Sequence, residues 1–199
     1  MSNEAPESLV TTGSTGVEAQ LKQLNQLLSS LNERVSRLEE NFILVADLHK
    51  YRKLQDLLSS GDLREADWET IRAIQAVTGE PDVESITPDD MRRFPCDELR
   101  VIDNLWKTYS KGRFGFSVQM QIYQSVGGSL ATTISQDTTV IERFGERVGW
   151  RVENKWLKCD DLDYTLNAPV GCHPSRWWNS PFGSKMTNFF FNRLLTCSL

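Results

Sequence analysis

Four cysteines and two histidines are the side chains in this 199-residue sequence that could bind a metal ion or act as nucleophiles. The cysteines (Cys96, Cys159, Cys172 and Cys197) form no CxxC pair and have no regular spacing, so they do not predict a zinc site. Cys172 and His173 are sequence neighbours, and adjacent residues seldom place a thiol and an imidazole as a nucleophile and its base. We therefore expect a protein that is not an enzyme and holds no metal ion.

A different chemistry is indicated where aromatic residues stand beside cations in the C-terminal half. Trp177 and Trp178 are adjacent, Arg176 precedes them, and Phe182 and Lys185 follow. Loops normally run over the protein surface, so we expect at least one of the two indoles to meet solvent, a ligand or a partner. Such a surface suits a flat aromatic anion. The alternative is that these rings only pin the loop to the body of the protein.

The charge distribution is uneven along the chain. Residues 1–104 carry 11 Lys/Arg and 20 Asp/Glu, whereas residues 105–199 carry 11 and 7. The net charge of −5 argues against a nucleic-acid-binding protein, which would need a basic stripe. A basic, aromatic C-terminal half favours a small anionic ligand, and the alternative is an ordinary solvated surface.

No targeting or membrane-spanning segment is predicted. The N-terminus, MSNEAPES, is acidic and lacks the apolar stretch of a secretory signal. No run approaches the roughly 18 apolar residues of a membrane span. We expect a soluble protein of a bacterial cytoplasm or a plastid stroma, with free thiols, no disulfides and at most peripheral membrane contact.

An apolar seam dominates the N-terminal region. Eight residues alternate spacings of three and four: Leu21, Leu24, Leu28, Leu31, Val35, Leu38, Phe42 and Val45. This a/d pattern predicts a coiled coil, and hence a homo-oligomer formed through residues 21–45. The alternative is one long helix folded back onto the following domain. We expect a disordered tail over 1–17, the coiled-coil helix over 18–50 and a globular domain over 51–199.

Capping signals predict helices within the globular domain. The N-terminal helix is expected to continue through Leu58 and to end at 59–61. A second helix is expected over 64–77, with Asp62 as its cap. Thr87-Pro88 starts a third helix and Pro95 a fourth, and the aromatic run 189–191 lies in a last helix.

Two segments carry less decisive patterns. Residues 114–122 have apolar side chains at every second position, as in a strand, but also at helical spacing, so periodicity alone leaves both open. Residues 127–140 begin with two glycines and continue with many Thr and Ser, which predicts a loop.

Several short sequence motifs resemble those of the genomes-uncoupled-four family. They are Ala66-Asp67-x-x-Thr70, Phe94-Pro95 with Leu99, IDNLW at 102–106, YSKGRFGFSVQ at 109–119, VGWR at 148–151 and APVG at 168–171. Their order and spacing are similar to the family's from about Lys53 to Pro174. The combination of GRFGFSVQ with ID-x-LW ahead of it is specific.

The resemblance implies an all-α domain shaped like a cupped hand, and hence a helix at 114–122. It implies a cyanobacterial-type or plastid regulator that binds protoporphyrin IX or Mg-protoporphyrin IX. It also implies that the protein stimulates the large subunit of magnesium chelatase in chlorophyll biosynthesis. The family's ligand site lies between two loops, which would be about 77–86 and 172–185 here.

Mapped onto this chain, the resemblance gives a set of candidate porphyrin-binding residues. The ring faces would be Trp156, Trp177, Trp178 and Phe182, the propionate partners Arg176 and Lys185, and the further candidates Arg113, Arg151, Cys159 and His173.

The chain departs from the family pattern near this site. The family has Gly-His-Leu-Pro where this chain has GCHP at 171–174, and it has a Trp where this chain has Cys159. Cys172-His173 is similar to the pair that tethers linear bilins in phytochrome-type photoreceptors, so a bilin held through Cys172 or Cys159 is a second hypothesis. The alternative function is a coiled-coil sensory or adaptor module of the same fold without a ligand.

Overall fold

The computed structural model describes residues 17–18, 20–35 and 50–199. The chain divides into two compact units, 1–46 and 47–199. In the first unit the described residues are helical, and the seam side chains from Leu21 to Val35 are 43–58% exposed. Leu38, Phe42 and Val45, together with most of the predicted tail, lie outside the described residues. The coiled coil stays a prediction.

The second unit is mostly helical, as the resemblance implied. Its helices are α1 (Arg52–Ser60), α2 (Leu63–Thr78), α3 (Pro88–Arg93), α4 (Cys96–Tyr109), α5 (Phe116–Ser125), α6 (Leu130–Ser135), α7 (Thr138–Arg147) and α8 (Ser184–Thr196). Short 3₁₀ turns lie at Val83–Ser85, Cys159–Asp161 and Arg176–Trp178.

A single small hairpin interrupts this helical order within the described residues. Strands β1 (Arg151–Val152) and β2 (Lys155–Trp156) pair antiparallel, so that Arg151 lies opposite Trp156. The two linking residues, Glu153 and Asn154, both have positive φ, as a type I′ turn requires. The hairpin places the Trp156 ring against α7, beside Gly145.

The helix starts predicted from local signals are confirmed. Asp62 accepts a hydrogen bond from the Glu65 N–H, and Thr87 forms a reciprocal capping box with Asp90. Gly61 ends α1 in the left-handed conformation, at φ 80°.

The strand interpretation of residues 114–122 is wrong, because these residues form α5. Its first five residues are all buried, including Phe116, Val118 and Met120, so its apolar residues occupy more than one face. A helix buried on several sides loses the simple 3.6-residue period and can imitate a strand.

The loop predicted over 127–140 is also wrong, because α6 and the start of α7 occupy most of it. Ser129 forms a capping box with Thr132, and Asp137 accepts hydrogen bonds from Thr139 N–H and Val140 N–H. The Ser and Thr residues that indicated a loop are in part the caps of these helices.

An aromatic core joins α5, α7 and α8. Tyr123 stacks on Phe191 with ring centroids 4.1 Å apart, and Phe144 meets Phe191 edge-on at 4.8 Å. Phe190 and Phe191 are fully buried, which fixes one face of α8 against the domain.

The expectation of free thiols throughout is wrong, because Cys96 and Cys197 form a disulfide. Cys96 begins α4, Cys197 follows α8, and 101 residues separate them. Such a pairing is a tertiary contact that sequence spacing does not reveal. In the part of the chain that the structure describes, no helix is long and apolar enough to cross a membrane.

Candidate functional site

A cleft of about 370 Å³ opens between α7, the hairpin and the start of α8. Its walls include Ile141, Trp150, Trp156, Lys158, Trp178 and Thr187. We call it the Trp cleft. Its volume lies within the range of small-molecule sites, and its lining is largely apolar with one cation, a composition typical of such sites.

Three indoles form a continuous stack in this cleft. Trp150 is 1% exposed and lies parallel to Trp178, with ring centroids 5.3 Å apart and an interplanar angle of 14°. The Trp156 ring lies 5.1 Å from Trp178, tilted by 40° to it, and is 40% exposed. The stack therefore runs from the core to the surface and presents an aromatic face to solvent.

A glycine makes room for the outermost ring. A Cβ atom at Gly145 of α7 would lie 2.4 Å from Cζ3 of Trp156, which is far inside van der Waals contact. Because Gly145 has no side chain, the Trp156 ring can lie directly against the helix.

A buried carboxylate holds the segment that carries Trp178. Asp67 of α2 is 1% exposed and accepts hydrogen bonds from Ser175 N–H at 2.8 Å, Ser175 Oγ at 2.5 Å and Arg176 N–H at 3.2 Å. The Tyr164 hydroxyl donates a further bond at 3.1 Å. Burial raises the pKa of Tyr164, which keeps its donor proton in place. Asp67 thus ties residues 175–176 to α2.

His173 lies beneath this segment and is fully buried. Its Nε2 lies 2.8 Å from the Asp163 carbonyl oxygen, which can only accept, so Nε2 carries the proton. Nδ1 has no hydrogen-bond partner in the described residues and lies 3.9 Å from Asp67 Oδ2. Burial lowers the pKa of the imidazole below 6.5, so His173 is neutral and cannot reach a ligand at the surface.

Arg176 points into a second, smaller cleft of about 270 Å³ on the other side of the same segment. Its guanidinium donates to Asp160 Oδ1 at 2.5 Å and lies 3.6 Å from the ring centroid of Trp68. The Arg176 guanidinium lowers the pKa of Asp160. Val83 and Asn179 also line this space, which we call the Arg cleft. The two loops expected to flank the ligand site, 77–86 and 172–185, meet here.

The structure brings together two of the predicted site residues, Trp156 and Trp178, in the Trp cleft. Phe182 and Lys185 are exposed but do not line it. Trp177 lies in the core and lines neither of the two clefts: it is 4% exposed and packs 4.3 Å from Phe190.

The remaining predicted residues are bonded to other groups or are buried. Arg113 donates to the Ala168 carbonyl at 2.8 Å, and Arg151 pairs with Glu142 and Glu146. Cys159 and Cys172 are each 1% exposed, and burial raises the pKa of both thiols to about 12. A buried, protonated thiol is a poor nucleophile, so the structure does not support covalent attachment of a pigment at either cysteine. His173, as described above, is core.

Sequence reasoning missed Lys158, Ile141 and Thr187 as cleft residues, and Trp68 as the platform for Arg176. Lys158 follows Trp156 by two positions, so a search around the Trp residues for nearby cations could have found it. Ile141 and Thr187 come from helices that only the tertiary fold brings together.

Comparisons with known proteins agree on one family. Residues 45–191 match the family model described as GUN4-like. The protein ycf53 of Pyropia yezoensis is 31% identical over 75% of this chain and 62% of its own length. The chloroplastic tetrapyrrole-binding protein of Arabidopsis thaliana is 36% identical over 58% of this chain and 39% of its own length. The chain thus spans between about two fifths and three fifths of these curated relatives.

Solved structures show the same fold. The ligand-free structure of Arabidopsis thaliana GUN4 superimposes with a TM-score of 0.56 at 27% identity, covering 71% of this chain and 93% of that one. GUN4 from Chlamydomonas reinhardtii gives a TM-score of 0.52 at 24% identity, covering 70% and 86%, and this likeness concerns the fold alone. This chain belongs to the GUN4-like family, as its sequence motifs, its helical fold and the match over residues 45–191 agree.

Proposed function

We propose that the protein is a non-enzymatic regulator that binds a tetrapyrrole in the Trp cleft. The observation that carries this proposal is the Trp150–Trp178–Trp156 stack, whose outer ring faces solvent beside Lys158. The relative from Arabidopsis thaliana is named for tetrapyrrole binding, which supports the same ligand class.

The physics of the cleft suits a flat apolar disc with carboxylates on one edge. A macrocycle laid on the exposed face of Trp156 extends the existing stack at the spacing that aromatic rings prefer. Burial of its apolar surface contributes about 25 cal/mol per Å². The Trp178 indole N–H is buried without a hydrogen-bond partner among the described residues. Lys158 at the rim can pair with a propionate.

Protoporphyrin IX and Mg-protoporphyrin IX are the proposed ligands, and a linear bilin is the alternative within the class. Binding is non-covalent, because both free cysteines are buried. The proposed partner is the large subunit of magnesium chelatase, whose activity the loaded protein stimulates in chlorophyll biosynthesis.

A titration of the purified protein with protoporphyrin IX, Mg-protoporphyrin IX and a bilin tests the ligand. We expect quenching of Trp fluorescence that saturates near one pigment per chain, with micromolar or tighter affinity, about −8 kcal/mol. Flat titrations with all three pigments would instead favour an adaptor module of the same fold without a ligand. Chelatase activity measured with and without the loaded protein tests the partner separately.

We also propose that the chain self-associates through residues 21–45. The seam side chains Leu21, Leu24, Leu28 and Leu31 are more than half exposed in the single chain, and a second copy would cover them. Leu28→Asp in the full chain should give the monomer mass in light scattering. Gln26→Asp, outside the a/d seam, should leave the oligomer intact; an unchanged mass for Leu28→Asp would remove the proposal.

A further inference from the structure

The disulfide lies at the far end of α8 from the Trp cleft. Ser184 and Thr187, in the first turn of α8, line the cleft, whereas Cys197 follows the last turn. At 1.5 Å per residue, the thirteen residues of α8 separate these ends by roughly 20 Å. The bond therefore lies in a different part of the domain from the cleft.

Two hydrogen bonds join the end of α8 to the segment that runs from the end of α3 into α4. Arg100 donates to the Cys197 carbonyl at 2.9 Å, and Arg193 donates to the Phe94 carbonyl at 2.6 Å. The end of α8 is thus docked on the start of α4 by polar contacts as well as by the covalent bond. These contacts remain available when the sulfur–sulfur bond is broken.

The two cysteines differ in exposure. Cys197 is 2% exposed, whereas Cys96 is only partly buried. Cys96 is the first residue of α4, and no side chain caps that helix end. A thiolate at the first residue of a helix lies at the positive end of the helix dipole, near backbone N–H groups without intrahelical partners, and both stabilise negative charge.

The acidic residues beside Cys96 are already paired. Asp97 accepts from Arg100 at 2.8 Å, and Glu98 pairs with Lys50 and with the Tyr51 hydroxyl. Their negative charges are therefore partly offset at the position where a Cys96 thiolate would form.

We propose that Cys96–Cys197 is a reversible modification site, reduced by a dithiol such as dithiothreitol or a thioredoxin-type protein. A thiolate of the dithiol attacks the accessible Cys96 sulfur, the Cys96–Cys197 bond breaks, and Cys197 leaves as a thiolate and takes up a proton. The second thiol of the reductant then attacks its own sulfur in the mixed disulfide and releases Cys96. One disulfide and one dithiol thus become two cysteine thiols and one oxidised dithiol.

Reduction should lower the stability of the fold. The bond closes a loop of 101 residues that contains the whole Trp cleft, and opening it restores conformational freedom to the unfolded chain. For a domain of this size we expect the melting temperature to fall by about 5–15 °C. The folded protein keeps its cleft.

Thiol labelling of the full chain tests the site. Without reductant, the denatured protein should expose two thiols, Cys159 and Cys172. After brief native reduction, maleimide should label Cys96, as located by peptide mass spectrometry, while the buried Cys159, Cys172 and Cys197 should react only once the protein is denatured. Four free thiols without reductant, or a disulfide that survives millimolar dithiol in the folded protein, would overturn the proposal.

Thermal unfolding with and without reductant is the second measurement. The unaltered chain and a Cys159→Ser control should both lose 5–15 °C on reduction, about the range given above. Cys96→Ser should melt at the lower temperature under both conditions. If the unaltered chain melts at the same temperature after complete reduction, the bond does not stabilise the fold. None of these readouts depends on a tetrapyrrole, so their outcome is independent of whether the proposed function is correct.

Discussion

The Trp cleft and the Arg cleft lie on opposite sides of the segment 176–183 and differ in what their side chains are free to do. In the Trp cleft the rings stack on one another and the outermost face meets solvent. In the Arg cleft the guanidinium of Arg176 is already bonded to Asp160 and lies over Trp68. The same short segment therefore offers an aromatic surface on one side and a neutralised cation on the other.

This difference shows that residue type is a poor guide to availability. Arg176 and the adjacent indoles looked equivalent as ligand groups in the sequence, yet the fold uses the arginine and Trp177 to hold the segment in place. Of the indoles predicted to bind a ligand, Trp178 and the hairpin residue Trp156 line a cleft.

The largest expected effect comes from Asp67, because its hydrogen bonds hold the segment between the clefts in place. Asp67→Asn replaces an acceptor with a donor facing buried N–H and O–H groups, and we expect a loss of about 3 kcal/mol in the free energy of unfolding. Urea unfolding measures it. Asp62→Ala, which removes only an exposed cap of the same helix, should cost about 1 kcal/mol. Equal losses for the two variants would show that Asp67 is not a special anchor.

The comparison of the clefts is tested most directly by three tryptophan variants. Trp178→Ala and Trp156→Ala should each weaken tetrapyrrole binding by more than about tenfold, or 1.4 kcal/mol, because they remove the stacking surface. Trp68→Ala, in the Arg cleft, should change affinity by less than about twofold. Pigment titrations of the folded variants give the answer. A large effect at Trp68 alone would move the ligand to the Arg cleft.

The sequence predicts those features that neighbouring residues determine, and it does not predict those that residues far along the chain determine. The capping roles of Asp62, Gly61 and Thr87 could be predicted, because a helix cap is determined by neighbours within three or four residues. The direction in which Trp177 points is decided by Phe190, which comes from a helix later in the chain. Periodicity likewise left α5 undecided because that helix is buried on several sides.

Acidification should weaken the packing beneath both clefts. The pKa of His173 is lowered by burial, so the unfolded chain binds more protons than the folded chain just below pH 6.5. Stability should therefore fall as the pH drops from 6.5 towards the lowered pKa, by up to about 1.4 kcal/mol per unit. Melting temperatures between pH 7.5 and about 5 measure this. His173→Gln, which keeps an N–H donor and does not titrate, should flatten the profile; an identical slope would assign it to other groups.

The smallest effect is expected from Lys158 at the rim of the Trp cleft. Lys158→Ala should weaken tetrapyrrole binding by about threefold at low salt and less at high salt, since exposed ion pairs are screened. Lys155→Ala is the matched control, because Lys155 lies in strand β2, three residues before Lys158, and is outside the cleft lining. A loss that does not depend on salt would argue against a propionate contact.

The space left by Gly145 has a consequence for how such a site can change over evolution. A single added methyl group on α7 would collide with the Trp156 ring and tilt or expel it. Gly145→Ala would therefore alter the geometry offered to a pigment without replacing any residue of the ring stack. Pigment preference can thus drift between related proteins through a position that an inventory of contact residues would omit.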